Sequence, residues 1–235
     1  ARAQRLPLVC FVESSGAAID EGVAAVHGWG TAAREFVACS GVVPPLFCVT
    51  GPTVSGPALL LGLADLVVMV ADSYAFVSGT HMVRQFTGEE LSNEGLGGAS
   101  MHERTSGVAH FTVADRAEAD DLIVELLSFL PDHTDQVPVG WPCADPVDRP
   151  TPEAGDLVPD PSTGSYDVRD VLACVVDDGH LLEPRAQWAP NLVTAFASIG
   201  GRPVGLIANQ PQSVAGTLDI AASQKGARFV SFCDA

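Results

Sequence analysis

The chain has 235 residues, 47% apolar and 17% charged, which suits one large folded domain or parts of two and excludes a disordered composition. Its formal net charge is −17, and eleven of its twelve basic residues are arginines, with Lys225 the only lysine. No basic face for a nucleic-acid partner is expected from that balance.

The longest apolar run, residues 57–69, is broken by Gly62 and Asp65 and falls short of the roughly 20 residues a membrane span needs. No membrane partner is therefore expected. Residues 1–5 lead straight into a strand-like run, without a signal or transit pattern. The six cysteines (Cys10, Cys39, Cys48, Cys143, Cys174 and Cys233) form no C-x-x-C pair. They read as small buried hydrophobes in a reducing compartment, the cytoplasm.

The first half alternates strand-like and helix-like segments. Residues 6–12 form an apolar run that ends at Ser14, Ser15 and Gly16. Asp20, Glu21 and Gly22 open a helical pattern through Ala25, Trp29, Ala32 and Phe36, with acids in its first turn. Residues 42–50 predict a second strand and 51–56 a turn, followed by a short helix to about residue 63. Residues 65–71 and 73–78 predict two more strands. This spacing predicts a parallel α/β sheet covered on both faces. Residues 87–107 read as a Gly-rich loop with short helices, and 114–130 as an amphipathic helix with Ala117, Leu122, Leu126 and Phe129 on its apolar side.

Eight prolines between residues 131 and 166 exclude long regular elements and mark a domain boundary. The expected division is 1–155, with a Pro-rich linker from about 131, and 156–235. In the second part Asp167 opens a helix through Val176, and 181–183 reads as a short strand. Residues 192–199 and 204–209 predict a hairpin joined at Gly200 and Gly201, and 220–232 a helix. With the sequence stopping at Ala235, the second part reads as the beginning of a larger domain.

Three turns between a strand and a helix could carry chemistry. They contain Ser15, Gly16 and Ala17; Ser55 and Gly56; and residues 209–219. Such turns expose main-chain N–H groups, and two converging N–H groups make an oxyanion hole. Ordinary βα turns look the same, so spacing alone does not separate the readings. No dinucleotide fingerprint, P-loop or G-x-S-x-G elbow occurs. The six histidines show no metal-ligand spacing, and only His110 stands out. Asp177, Asp178, Asp120 and Asp121 read as solvated acids.

Several segments resemble, in order, the carboxyltransferase β subunits of propionyl-CoA and acetyl-CoA carboxylases. They are ELSNEGLGG (90–98), SGVAH (106–110), DPVDR (145–149), NQP (209–211), GTLD (216–219), KGARF (225–229) and FCDA (232–235). The resemblance implies an α/β, crotonase-like (ClpP/crotonase) ββα superhelix: the later part of a first, acyl-CoA-binding domain and the beginning of a second, biotin-binding one. It implies transfer of CO2 from carboxybiotin, carried on a carrier protein, to the α-carbon of a coenzyme A thioester such as propionyl-CoA or acetyl-CoA. The partners implied are a biotin carboxylase or biotin carrier subunit and a homo- or hetero-hexamer of carboxyltransferase subunits. Charge on the thioester and ureido oxygens would meet two main-chain oxyanion holes, with biotin itself able to serve as base.

By resemblance the first hole matches Ser15 and Gly16, and the second Gly216 and Thr217. Ala17, Ser55 and Gly56 would line the thioester, and Asp219 the acyl pocket. Ser15, Ala18, Ser55 and Pro57 depart from the family pattern of glycines, arginine and alanine. A Cβ at such a position opposes a positive φ. The alternatives are a non-catalytic structural paralogue in a mixed hexamer and a biotin-dependent decarboxylase subunit.

Overall fold

The computed structural model describes residues 1–146, 148–160 and 164–234. Val147, inside DPVDR, and Pro161 and Ala235, named above, lie outside the described residues. The chain divides into two compact units, Ala1–Glu125 with Asp132–Gln136 and Leu126–Pro131 with Val137–Ala235.

The first unit is built on five strands: β1 (Leu8–Ser14), β2 (Pro45–Val54), β3 (Leu66–Val70), β4 (Tyr74–Phe76) and β5 (Phe111–Val113). All their pairings are parallel, in the order β1-β2-β3-β5, with β4 pairing the far end of β2. The buried run of β2 from Pro45 to Val49 fits a strand covered on both faces. Phe47, Val49, Val67 and Met69 form the core with Leu60, Leu61 and Ala75, against which Trp29 and Phe36 pack from helix α1 (Val23–Val37).

Strand β2 runs four residues past its expected end, through Gly51 and Pro52. Two partners override the turn signal of that dipeptide: Pro52, Thr53 and Val54 pair with β4, and Thr53 pairs with Ser14 beyond an irregularity in β1. The turn therefore shrinks to Ser55, from which α2 (Gly56–Leu60) starts. The polar stretch holds α3 (Thr80–Thr87), α4 (Asn93–Gly97), α5 (Ala99–Met101) and a π turn at His102–Ser106.

Helix α6 (Arg116–Phe129) belongs to the first unit up to Glu125 and to the second from Leu126. Its buried residues are Ala119, Ile123, Leu126 and Phe129. Ala117, expected on that face, is exposed: the buried stripe follows the i, i+4, i+7, i+10 positions from Ala119.

The second unit holds α7 (Pro152–Asp156), α8 (Val168–Val175), a hairpin of β6 (Leu192–Ile199) and β7 (Arg202–Asn209), and α9 (Ile220–Asp234). Residues 137–160, read from sequence largely as linker, belong with this unit. Trp141 donates its N–H to the Gly201 carbonyl at 2.9 Å and packs edge-on against Phe129. The predicted strand at 181–183 is a single bridge, Leu182 to Phe196. Among the described residues no helix is long and apolar enough to cross a membrane. Only Cys39 and Cys48 are buried, and Cys233 is exposed.

Asp177 is not a solvated acid. It is 6% exposed, and its carboxylate accepts the N–H groups of Gly200 at 2.9 Å and Gly201 at 2.8 Å. Those glycines turn the hairpin with φ of 60° and 73°. Burial works against the charge, but the Gly201 and Gly200 N–H groups, with the Ser198 hydroxyl and the Cys143 thiol, outweigh it and hold the carboxyl below its usual range.

Asp177→Ala leaves both turn N–H groups without their acceptor and is expected to lower the unfolding free energy by about 2 kcal/mol. Asp177→Asn should lose less, because the amide oxygen still accepts. With the folded-state pKa below the unfolded 3.8, the contribution is complete above that value and disappears as pH falls through the folded value. Urea unfolding should therefore show wild type and Asp177→Ala converging in acid.

Candidate functional site

The first two turns leave the sheet side by side. A β-carbon built on Gly16 would stand 3.4 Å from the Cβ of Ser55. The pairing of Ser14 with Thr53 brings the ends of β1 and β2 level and produces this approach. Gly16 has φ 107° and donates its N–H to the Ser14 hydroxyl at 3.1 Å. The N–H groups of Ser15 and Ala17 have no partner within the described residues.

Ser55 adopts φ 67° and ψ −127°, a conformation that favours glycine. Its N–H is donated to the Phe76 carbonyl at 2.9 Å, so Ser55 itself offers no free main-chain donor. The next N–H, on Gly56, is free among the described residues, and Pro57 has none. Gly56 lies flat against Trp29, where a β-carbon would fall 2.5 Å from a ring carbon. These turns thus bring Ser15, Gly16, Ala17, Ser55 and Gly56 into one neighbourhood, with Ser15, Ala17 and Gly56 holding the free donors.

The third turn is built within the second unit. Val214, Ala215 and Gly216 have φ of 50°, 52° and 69°. The Gly216 N–H is donated to the Ser213 carbonyl at 2.9 Å and the Thr217 N–H to that of Val214 at 3.0 Å. Two side chains that sequence reasoning missed hold the outer edge. Asn209 Nδ2 donates to the Gly216 carbonyl at 2.6 Å, and Asn191 Nδ2 to the Thr217 carbonyl at 2.7 Å. Asn209 lies in the quoted NQP segment, but its amide could equally have served the turn of its own chain. Asn191, after Pro190, carried no signal at all.

Asp219 caps α9: its Oδ1 accepts the Ala222 N–H at 2.8 Å. That bond, against the opposing effect of burial and with help from the Asn191 amide, holds its carboxyl below the usual range. Asp219 also borders a shallow, open depression with Leu218, Ile220 and Ser223.

His110 is structural. It is 7% exposed, its Nδ1 accepts the Val67 N–H at 3.0 Å, and its own N–H is donated to the Val67 carbonyl at 2.8 Å. Among the described residues no three His, Cys, Asp or Glu side chains gather as a metal site. What both units present is an arrangement of main-chain donors.

The Carboxyl transferase domain family matches residues 1–235. The chain belongs to that family. It is 41% identical over 229 residues to the methylmalonyl-CoA carboxyltransferase 12S subunit of Propionibacterium freudenreichii subsp. shermanii, a match covering 97% of this chain and 43% of that protein. It is 41% identical over 238 residues to the propionyl-CoA carboxylase beta chain of Saccharopolyspora erythraea, covering 97% and 44%. It is 40% identical over 233 residues to the methylmalonyl-CoA decarboxylase subunit alpha of Veillonella parvula, covering 97% and 45%.

A crystal structure of transcarboxylase 12S, with methylmalonyl-coenzyme A and methylmalonic acid bound, superposes with a TM-score of 0.96 at 40% identity, over 99% of this chain and 45% of that one. The chain thus spans less than half the length of these relatives. The fold is crotonase-like, as the resemblance implied.

Neighbouring positions in the second turn of this carboxyl transferase domain should respond in opposite directions. Ser55→Gly removes a Cβ from a glycine conformation and is expected to stabilise the protein by about 1 kcal/mol. Gly56→Ala drives a methyl into the Trp29 ring and is expected to destabilise it by about 1–3 kcal/mol. Thermal melts of the two variants beside wild type check both signs.

Proposed function

We propose that this chain is part of the carboxyltransferase subunit of an acyl-CoA carboxylase. In this reading the subunit transfers CO2 from carboxybiotin to the α-carbon of a short acyl-CoA, propionyl-CoA or acetyl-CoA. The observation that carries it is the match of all 235 residues to the carboxyl transferase domain family. The first unit is then the acyl-CoA side and the second the biotin side. The relatives named for propionyl-CoA carboxylase and the methylmalonyl-CoA-bound 12S structure support a coenzyme A thioester as substrate.

On the acyl side, negative charge builds on the thioester oxygen as the α-proton leaves. The free N–H groups of Ser15, Ala17 and Gly56 are the donors this chain offers there, with the Gly16 N–H available by exchange from the Ser14 hydroxyl. Ser55 would stand beside the thioester with its side chain replacing hydrogen.

On the biotin side the residues fit the group. A β-carbon on Gly216 would meet Asn209 Cβ at 3.2 Å, so a larger residue would crowd the cradle. Biotin, when bound, would supply the transferable carboxyl group. The Leu218 N–H, free among the described residues, and the Thr217 N–H, shared with the Val214 carbonyl, would hold its ureido oxygen, while the Gly216 N–H is taken by the Ser213 carbonyl; Asp219 would border the acyl pocket.

The partners in this reading are a biotin carboxylase or carrier subunit and further carboxyltransferase subunits in a homo- or hetero-hexamer. The 12S structure, a hexamer assembly and multienzyme core, supports that arrangement. The absence of a cysteine pair among the described residues fits a reducing compartment, the cytoplasm. A second reading, as a biotin-dependent decarboxylase subunit, is favoured by the Veillonella relative at 40% identity.

The test uses the complete subunit with a carboxybiotin-loaded carrier. Formation of methylmalonyl-CoA from propionyl-CoA, or malonyl-CoA from acetyl-CoA, is the expected result. Loss of CO2 from methylmalonyl-CoA without carboxylation of either substrate would establish the decarboxylase instead. If neither reaction occurs alone but the subunit co-assembles with an active homologue, it is a structural paralogue.

A further inference from the structure

We propose that Asn191 and Asn209 are positioning residues: they aim the Thr217 and Leu218 N–H groups by holding the carbonyls on the far side of the same peptide planes. The functional meaning of that aim rests on the biotin-side reading above.

A run of three left-handed residues is uncommon, and Val214 is β-branched, the kind of residue least suited to it. Such a conformation persists only where surrounding contacts over-determine it. Here those contacts converge on two consecutive carbonyls, Gly216 O from Asn209 and Thr217 O from Asn191. The two asparagines are themselves tied together, since the Gln210 N–H, adjacent to Asn209, is donated to the Asn191 carbonyl at 3.0 Å.

A trans peptide is planar, with C=O and N–H pointing in opposite directions. Fixing Gly216 O therefore fixes the Thr217 N–H, and fixing Thr217 O fixes the Leu218 N–H. The first of these donors is shared with Val214 O, while the Leu218 N–H has no partner among the described residues. Asn191 is 2% exposed, and its amide donates to the Thr217 carbonyl. A buried amide is retained where its hydrogen bonds are made, and those of this side chain fall on the turn. Packing alone would be served by an apolar residue.

The test replaces each asparagine by aspartate in the full-length enzyme with its biotin carrier. Asn→Asp keeps the shape and, when ionised, removes the donor. In Asn191→Asp and Asn209→Asp, kcat for carboxyl transfer is expected to fall about tenfold to a hundredfold, the scale of a misaimed oxyanion donor. For Asn209→Asp, KM for acyl-CoA and its calorimetric Kd should stay within about twofold, because the thioester turns are untouched. Lowering the pH should recover rate relative to wild type as the carboxylic acid regains a proton to donate.

A readout independent of turnover is amide exchange in the substrate-free protein, where the Thr217 N–H, held to the Val214 carbonyl, should exchange about tenfold faster. Should Asn191→Asp fail to fold, the exposed Asn209→Asp carries the test alone. Wild-type kcat with unchanged exchange overturns the proposal. So does a loss of rate matched by an equal loss of acyl-CoA binding. An inactive wild-type enzyme would instead sink the biotin-side reading, while the exchange measurement would still report on the clamp.

Discussion

A main-chain N–H has no rotamer. It points where its peptide plane points, and flanking dihedrals set that plane. A site made from such donors therefore has to be built from backbone conformation, and the unusual conformations of this chain cluster accordingly. Gly16 at φ 107° and Ser55 at φ 67° face each other at the ends of β1 and β2. Residues 214–216 form a left-handed run after β7. In each unit a strand delivers the turn, and a helix takes the chain away before the geometry can relax.

The turn after β7 also stands on a polar frame. Gln210, 2% exposed, accepts the Val168 N–H and donates to Asp167 at 2.6 Å. Asp167 faces Arg169, which grips Glu183 through two hydrogen bonds, at 2.6 and 3.1 Å. Glu183 lies 3.9 Å from Lys225 Nζ. Lys225 is 1% exposed and donates to the carbonyls of Arg185 and Trp188 at 2.9 and 3.1 Å. Burial pulls its pKa down to about 8, with Glu183 opposing that fall. Removing one partner from such a frame leaves a buried charge or carbonyl uncompensated. The NQP and KGARF segments, separate in sequence, are thus the two ends of one network.

The parallel sheet, the main helices and the approximate elements were legible because hydrophobic runs and caps are local signals. Asp167 caps α8 as its position before an apolar helical run suggested. What escaped was non-local. Pro52 read as a turn because its strand partner, Tyr74, lies over twenty positions away. Asp177 read as solvated because its two glycine partners are on the hairpin tip. Asn191 was invisible because a buried amide and a turn amide are the same letter. The site residues themselves were reached through resemblance, since a donor-bearing turn and an ordinary βα turn share a sequence pattern.

The departures from the family pattern act differently from how they read. A serine in place of glycine suggested a turn unable to adopt positive φ, yet Ser55 adopts it. The strain is borne locally where Ser55 is pinned, its N–H donated to the Phe76 carbonyl and its carbonyl accepting the Leu59 N–H. What changes is the surface of the turn, because a hydroxymethyl group now projects where the pattern has hydrogen. On the other side Gly216 remains, and the crowding Cβ is avoided at the one place where Asn209 stands 3.2 Å away. The asymmetry between the two units is therefore one of side-chain volume: Ser55 adds a hydroxymethyl group at the first unit's turns, while Gly216 adds nothing at the second's.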